Sequence, residues 1–306
     1  GGELIMSAKS AIEWTDATWN PVTGCTKVSQ GCKNCYAERE WPRLQHLPAY
    51  TGRAFTDVRC HPDRLDEPLR WRRPRKIFVC HNADLFHESV PDDFIVQMFI
   101  AMALADRHTF QILTKRPERM LRFLNNDEIQ EEITYIEGEN EDGISGYAYI
   151  PWPLPNVWLG VSVEDQETAE ARIPLLLQTP AAVRWVSAEP LLSEINLRAI
   201  HLGDLYWLNA LTSKVSIFHD GGMPAAPDYG LLNWIVAGGE SGRNARPMHP
   251  DWPRALRNQC QAAGVPFFFK QYSAYCCEHT REARAALKAR GRMLDGRTWD
   301  EYPAPC

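Results

Sequence analysis

The chain has 306 residues, 44% of them hydrophobic, and a formal net charge of −6 at pH 7. This length allows one large domain or two small ones with a sizeable core, and the charge excludes a global basic field that would attract nucleic acid. No apolar stretch approaches the roughly 20 residues that span a bilayer, and the start lacks a secretory signal. We therefore expect a cytoplasmic protein without a membrane partner. Residues 1–5 are expected to be a cloning remnant before a natural start at Met6.

Short apolar runs recur along the chain, and each is followed by a polar loop and then an amphipathic segment. Near-continuous apolar runs are typical of parallel strands that are buried on both faces. The predicted strands are 17–22, 77–80, 110–113, 157–161, 183–186, 234–237 and 266–269. The predicted helices are 92–105, 116–124, 168–177 and 252–263, the last ended by Gly264.

This alternation predicts an α/β fold with a parallel sheet. We expect a single domain over 6–306, built as a partial or nearly complete TIM-like (βα)6-7 barrel and not as a doubly wound sheet. Two segments, near 127–155 and 201–229, interrupt the alternation with Gly, Pro, acidic and aromatic residues. They are interpreted as insertions, either lids over the barrel or decoration beside it.

Polar residues follow six of the predicted strands directly. In a barrel the carboxyl ends of the strands meet at one face, where active sites lie, so these residues should converge there. They are His81, Asn82, Asp84, Thr114, Lys115, Ser162, Glu164, Ser187, Glu189, the turn 238–241, Lys270 and Gln271.

Charge is unevenly distributed. The stretch 131–142 is acidic, whereas the stretch 64–76 is basic, with Arg64, Arg70, Arg72, Arg73, Arg75 and Lys76. A solvated loop is the ordinary interpretation of such a run, and a phosphate-facing rim is the functional alternative.

Three of the nine cysteines lie within eleven residues, as Cys25, Cys32 and Cys35 with C-x6-C-x2-C spacing. The short loop carries Gly24 and Gly31, which permit the backbone angles needed to wrap a metal centre. Thiolates bind both iron–sulfur clusters and zinc. Structural zinc requires four ligands, and a fourth would have to come from elsewhere, whereas three cysteines suit a four-iron cluster with one open iron. Spacing alone favours the cluster and leaves open zinc and cysteines without a metal.

The loop ending at Cys32, Cys35 and Tyr36 resembles the cluster loop of radical S-adenosylmethionine (SAM) enzymes, in which an aromatic residue follows the last cysteine. The wider chain resembles a phage- and prophage-associated family of three-cysteine proteins related to such enzymes, with a distant likeness to spore photoproduct lyase. One departure is the six residues between the first two cysteines, where the commonest loop has three. The motifs that carry the likeness are 13–15, 19–21, 31–36, 113–117, 159–164, 187–191, 238–242 and 268–271.

The resemblance implies a 4Fe–4S cluster on the three cysteines, with SAM bound at its open iron and cleaved reductively to a 5′-deoxyadenosyl radical. It implies an electron donor and suggests a dedicated protein partner and a nucleotide or nucleic acid as the substrate of a modification or repair reaction. The alternatives are a non-catalytic phage accessory protein stabilised by zinc or a cluster, and a cluster that only transfers electrons or supports the fold.

Within that scheme we assign the expected ligand contacts. Asp84 is expected to accept from the SAM ammonium, and Ser162 and Glu164 to contact its ribose or carboxylate. The expected adenine or phosphate contacts come from a glycine-rich turn, which could also be only a tight turn. The full set of expected cofactor residues is Tyr36, Asp84, Ser162, Glu164, Gly238, Gly239, Glu240 and Ser241. The substrate candidates are Lys115, Arg116, Glu189 and Lys270, for which salt bridges inside the barrel mouth are the alternative.

Overall fold

A central sheet of seven strands organises the protein. The computed structural model describes residues 10, 12–139, 145–203, 206–217, 229–275 and 291–304, with residues 282, 285 and 289. All neighbouring strands of the sheet pair in parallel, which confirms the predicted parallel sheet. In chain order the strands are β1 (Ala17–Trp19), β2 (Lys76–Val79), β3 (Thr109–Thr114), β4 (Val157–Ser162), β5 (Val183–Ala188), β6 (Trp234–Gly238) and β7 (Phe267–Gln271).

Strand order in the sheet follows strand order in the chain. Every crossover therefore moves to the same side, without the reversal that defines a doubly wound sheet. The sheet curls into a half-barrel flanked by helices. Its β7 edge is covered by the end of the chain, where the Phe269 amide donates to the Trp299 carbonyl at 2.9 Å.

The strands form where the sequence predicts them, with bounds that differ by at most two residues for β2 to β7. The first predicted strand, 17–22, is instead divided. β1 ends at Trp19, and Val22–Thr23 pairs with Arg59–Cys60 in a separate two-stranded sheet. Pro21 lies at the break, and proline has no N–H with which to continue a ladder.

Six helices flank the sheet among the described residues. The four predicted helices are confirmed to within two residues, and α6 ends at Gly264 with a left-handed φ of 69°. The helices are α1 (Tyr36–Leu44), α2 (Asp92–Leu104), α3 (Pro117–Leu124), α4 (Asp127–Thr134), α5 (Gln166–Gln178) and α6 (Asp251–Ala263). No helix in the described part of the chain is long and apolar enough to cross a bilayer.

Both segments predicted as insertions contain antiparallel strands. Near 127–155, α4 packs against α2 and α3 and leads into the hairpin Tyr135–Glu139 with Ser145–Tyr149. Residues 140–144, which include the end of the acidic stretch 131–142, lie outside the described residues.

The second segment falls between β5 and β6. It contributes the strands Ile200–His201, Tyr206–Asn209 and Lys214–Ile217, the first of which packs on α5. Residues 204–205 and 218–228 of it are not described. The described residues between β5 and β6 include no α-helix, so the predicted βα alternation is broken there.

An aromatic cluster fills the concave face of the sheet. The Trp14 ring centroid lies 4.7 Å from that of Phe78 and 5.2 Å from that of Trp185. Gly160 of β4 makes room for this packing, since a Cβ there would lie 2.5 Å from the Trp185 ring. The full cluster contains Trp14, Phe78, Trp158, Val183, Trp185, Trp234, Val236 and Phe268. Trp14 and Phe78 of this cluster form the aromatic floor of the cavity described next.

Candidate cofactor site

A cavity of about 440 Å³ opens at the carboxyl ends of the strands. That volume lies in the range of small-molecule sites. Because all seven strands run in one direction, the loops that follow them meet at this face. The polar lining includes Cys25, Cys32, Cys35, Tyr36, His81, Asn82, Asp84, Thr114, Lys115, Arg116, Ser162, Ser187, Glu189, Glu240, Ser241, Lys270 and Gln271.

The cysteine loop, residues 24–36, forms one wall of this cavity. Its three cysteines are free thiols, each half-buried. Gly24 has a φ of +91°, and a Cβ there would lie 2.6 Å from the Asp57 carbonyl oxygen, so the loop must begin with glycine. No three His, Cys, Asp or Glu side chains among the described residues are gathered closely enough to hold a metal ion. The three thiols therefore lie along one wall of the cavity and do not converge on a single point.

Three carboxylate–arginine pairs hold the cysteine loop against the strand ends. Each carboxylate follows a different strand, and each pair also contacts a residue of the loop. The nitrogen–oxygen distances are 3.1 Å in Asp84–Arg116, 3.1 Å in Glu164–Arg172 and 2.6 Å in Glu240–Arg246. We call these the anchoring pairs.

The first anchoring pair shows what the Asp84 carboxylate contacts within the protein. Its carboxylate is buried and accepts from the Thr114 hydroxyl at 2.7 Å, the Lys115 amide at 3.0 Å and Arg116 Nη1 at 3.1 Å. Arg116, expected to bind substrate, instead donates to Cys25 Sγ at 3.8 Å. Asp84 lines the cavity, but its oxygens are already used to hold Arg116.

The second anchoring pair places Glu164 beneath the cysteine loop and away from the cavity. Glu164 is fully buried and accepts from Ser29 Oγ at 3.2 Å as well as from Arg172. It lies so close to Gly31 that a Cβ at that glycine would overlap its carboxylate. The Lys115 ammonium lies 3.4 Å from Glu164. Glu164 does not line the cavity, so its contact with the ribose or carboxylate stays a prediction, and Lys115 forms the salt bridge given as its alternative.

The third anchoring pair fixes the far end of the loop. Glu240 accepts from Arg246 Nη2 at 2.6 Å, the Arg246 amide at 2.7 Å and Asn34 Nδ2 at 2.9 Å. Burial acts to raise the pKa of Glu240, but these hydrogen bonds outweigh it and leave the pKa below its ordinary value. Gly238 and Gly239 do not line the cavity. A Cβ at Gly239 would collide with the Ser273 backbone, so this is a tight turn.

The other expected residues lie on the cavity. Lys270 Nζ and Glu189 Oε1 form an ion pair at 2.7 Å. Ser162 and Ser241 line the cavity, and Tyr36 stands at its edge, 40% exposed, with its hydroxyl donating to the His81 carbonyl.

The family model described as "Protein of unknown function (DUF5131)" matches residues 9–303. The chain belongs to this family. The match spans the cysteine loop, the seven strands and the anchoring pairs. No curated protein and no solved structure matches the chain.

Two residues of this DUF5131 protein that the sequence placed among the strand-end polar residues, but assigned to no ligand, line the cavity and carry side-chain acceptors. His81 Nδ1 lies 2.8 Å from Asn20 Oδ1, and burial lowers the pKa of His81 to about 4. The ring is therefore neutral at pH 7, with Nδ1–H donating to Asn20 and Nε2 left as an acceptor. Asn82 is 3% exposed, and its Nδ2 donates to Tyr50 Oη at 2.9 Å, but its Oδ1 has no partner. Their position directly after β2 was the available signal.

Most of the basic run of this DUF5131 protein, residues 70–76, lies away from the cavity, whereas Arg64 Nη1 donates at 2.9 Å to the carbonyl of Asn20, the partner of the cavity residue His81. Lys76 is the first residue of β2, so the run enters the sheet at the amino end of a strand whose carboxyl end faces the cavity. Arg70, Arg72 and Arg73 are exposed there. Residues 70–76 are therefore not a rim of the candidate site.

Proposed function

We propose that this protein is a radical SAM enzyme that holds a four-iron cluster on Cys25, Cys32 and Cys35 and SAM in the adjoining cavity. One observation carries the proposal. The three free thiols line the same cavity as polar residues at the carboxyl ends of the other six strands. The half-barrel, with strands in chain order, supports a relationship to TIM-like partial barrels.

The donor set fits a cluster better than a single ion. A structural zinc needs four ligands around one centre, whereas the three cysteines of a cluster each bind a different iron. Three thiols that do not converge on one point, on a loop anchored at both ends, match the requirement of a cluster. Burial raises the pKa of Cys25 to about 12, and the Asp84 charge adds to this while Arg116 opposes it. Cluster binding must displace that proton, because the ligand is the thiolate.

The chain also offers groups for SAM. The acceptors His81 Nε2 and Asn82 Oδ1 follow β2 together, and neighbouring acceptors without donors suit an ammonium group. This moves the expected ammonium contact from Asp84 to Asn82. The Ser162 and Ser187 hydroxyls face the same cavity and would serve the ribose or carboxylate. When bound, the cluster and SAM supply a one-electron reduction of the sulfonium and the resulting hydrogen-abstracting radical.

We assign the substrate-binding end of the cavity to the Lys270–Glu189 pair, which lies above the aromatic floor. Its charges neutralise each other at 2.7 Å, so a substrate there meets a donor and an acceptor but little net charge. A nucleotide or nucleic acid as substrate rests on the resemblance, because most of the basic run, residues 70–76, lies at the opposite end of the sheet. An external electron donor is required, and Val28, 46% exposed on the cysteine loop, lies on the surface it would approach.

The test is anaerobic reconstitution followed by assays for iron and for 5′-deoxyadenosine. We expect about four irons per chain, slow release of 5′-deoxyadenosine from SAM under reduction, and loss of both in Cys32→Ala. Asn82→Ala should keep the iron and weaken SAM binding by about tenfold, the cost of one hydrogen bond to a charged group. Asn125→Ala, at an exposed asparagine far from the site, is the matched control.

Two results would count against the proposal. Stoichiometric zinc without iron under these conditions would refute the cluster. A full complement of iron without 5′-deoxyadenosine or any spectral response to SAM would refute the enzyme and leave a structural cluster.

A further inference from the structure

Arg116 places a fixed positive charge against the cysteine loop. Its Nη1 donates to Cys25 Sγ at 3.8 Å, and its Nη2 donates to Thr26 Oγ1 at 2.9 Å and the Thr26 carbonyl at 3.3 Å. Nη1 also donates to Asp84 at 3.1 Å and Nε to Glu88 at 3.0 Å. Every nitrogen of the guanidinium thus has a partner, and the side chain is 11% exposed.

This cation cannot swing away, because Asp84 holds it from the strand ends. Besides Arg116, Asp84 accepts from the Thr114 hydroxyl at 2.7 Å and from the amides of Lys115 and Phe86 at 3.0 Å. The chain of contacts runs from the end of β3 through Asp84 and Arg116 to the sulfur of Cys25. The outer partner Glu88 is 68% exposed and screened by water, so its influence is weaker.

We propose that Arg116 is a positioning residue that orients Cys25 and raises the reduction potential of the cluster bound there. The inference rests on the proposed function. One-electron reduction adds a negative charge to a cluster, so a fixed cation and an N–H donated to a ligand sulfur both stabilise the reduced form. Asp84 has two opposing effects: it fixes the cation, and its own charge disfavours the reduced form.

These opposite charges give the inference a signature that a purely structural role lacks. Arg116→Gln should lower the reduction potential, whereas the near-isosteric Asp84→Asn should raise it. We expect about a tenfold change in the reduction equilibrium for Arg116→Gln, which is about 59 mV for a one-electron couple. Arg116→Lys, which keeps the charge but loses the fork of N–H groups, should recover part of the shift.

The measurement is a redox titration of the anaerobically reconstituted protein with dithionite, monitored by the EPR signal of the reduced cluster. Iron content is determined first for every variant. Arg119→Gln is the matched control, because Arg119 lies on α3, which begins directly after Arg116, and pairs with Asp92 rather than with a cysteine. It should leave the potential unchanged. Glu88→Gln, at an exposed partner of Arg116, is the milder second variant and should shift the potential slightly upward.

The outcomes separate this inference from the proposed function. Opposite shifts for Arg116→Gln and Asp84→Asn support it. Full iron content with no shift, or with both shifts in one direction, overturns it while the cluster stands. If Arg116→Gln loses iron, the other two variants decide: a lower potential for Arg116→Lys and a higher one for Glu88→Gln support the inference, and any other pair of directions overturns it. Absence of 5′-deoxyadenosine with intact iron refutes the enzyme but not the role of Arg116, and a wild type without iron refutes both.

Discussion

Replacement of Gly31 by alanine tests how tightly the cysteine loop rests on the sheet. Gly31 precedes Cys32 directly, and an added Cβ would overlap three atoms of the Glu164 side chain. Glu164 cannot turn aside at low cost, because it is fully buried and accepts from Arg172 at 3.1 Å and from Ser29 at 3.2 Å. The φ of Gly31 lies outside the left-handed region, so alanine strains no backbone angle and the cost is steric.

Two ways of relieving the overlap set the magnitude. Pulling Glu164 off Arg172 would leave a buried charge unpaired, at about 3–5 kcal/mol. Lifting the loop would break the Ser29–Glu164 hydrogen bond, at about 1.5–3 kcal/mol, which is also the range for overpacking a core. The cheaper route is the second. We therefore expect Gly31→Ala to lose about 2 kcal/mol of unfolding free energy and, because the loop moves, most of its iron.

Urea unfolding of the reduced, metal-free protein measures the first quantity, and iron per chain after anaerobic reconstitution measures the second. Gly52→Ala is the control: it has open space but a φ of +69°, so it should lose about 1 kcal/mol through backbone strain and keep its iron. Adding Glu164→Asp, one methylene shorter, should make Gly31→Ala less costly in a double-mutant cycle. A Gly31→Ala protein within about 0.5 kcal/mol of wild type and with full iron would refute the overlap.

Three further outcomes follow from the geometry. Burial raises the pKa of Cys25 to about 12, so about one Cys25 thiol in 10⁴ is ionised at pH 8 and Cys25 of the metal-free protein should react with iodoacetamide very slowly. Arg116→Gln should slow this reaction further, because the Arg116 charge favours the thiolate. A reaction rate that levels off near pH 9 would contradict the raised pKa. Gly160→Ala should lose about 1–3 kcal/mol of unfolding free energy, because the added methyl presses on the Trp185 ring, and it should keep its iron content. An unchanged urea midpoint would show that the aromatic cluster repacks freely. Because burial lowers the pKa of His81 to about 4, its contribution to stability should be present above pH 6.5 and be lost as the pH falls from 6.5 towards 4; an NMR titration of the ring with a midpoint near 6.5 would refute this.

The anchoring pairs explain why so many charged groups lie at the cavity without making it strongly charged. Asp84, Glu164 and Glu240 each carry an arginine partner within 3.1 Å. Their negative charges are therefore paired with arginines. These pairs hold a loop whose thiols must be ionised to bind metal. Neutral residues of the cavity lining, such as Asn82, are left for a ligand.

The sequence by itself determined the scaffold and the location of the site. Apolar runs such as 157–161 form buried strands because only a sheet covered on both faces can bury every residue of the run. Parallel strands end at one face, so the residues after them had to meet there, and the spacing of the cysteines placed all three on one short loop. These features depend on local pattern and chain direction, both of which can be read along the chain.

Only the tertiary structure decided what each polar residue does at that face. Arg116 follows Asp84 by 32 positions and Gly31 precedes Glu164 by 133, yet these pairs are in contact, and no local pattern predicts such partners. A buried carboxylate that finds a guanidinium becomes an anchor, whereas a neighbouring amide that finds no donor remains open to a ligand. Sequence therefore identified most of the polar residues at this face. Their three-dimensional partners separated the anchors, Asp84 and Glu164, from Asn82, whose Oδ1 has no partner, because hydrogen bonding depends on distances that only folding sets.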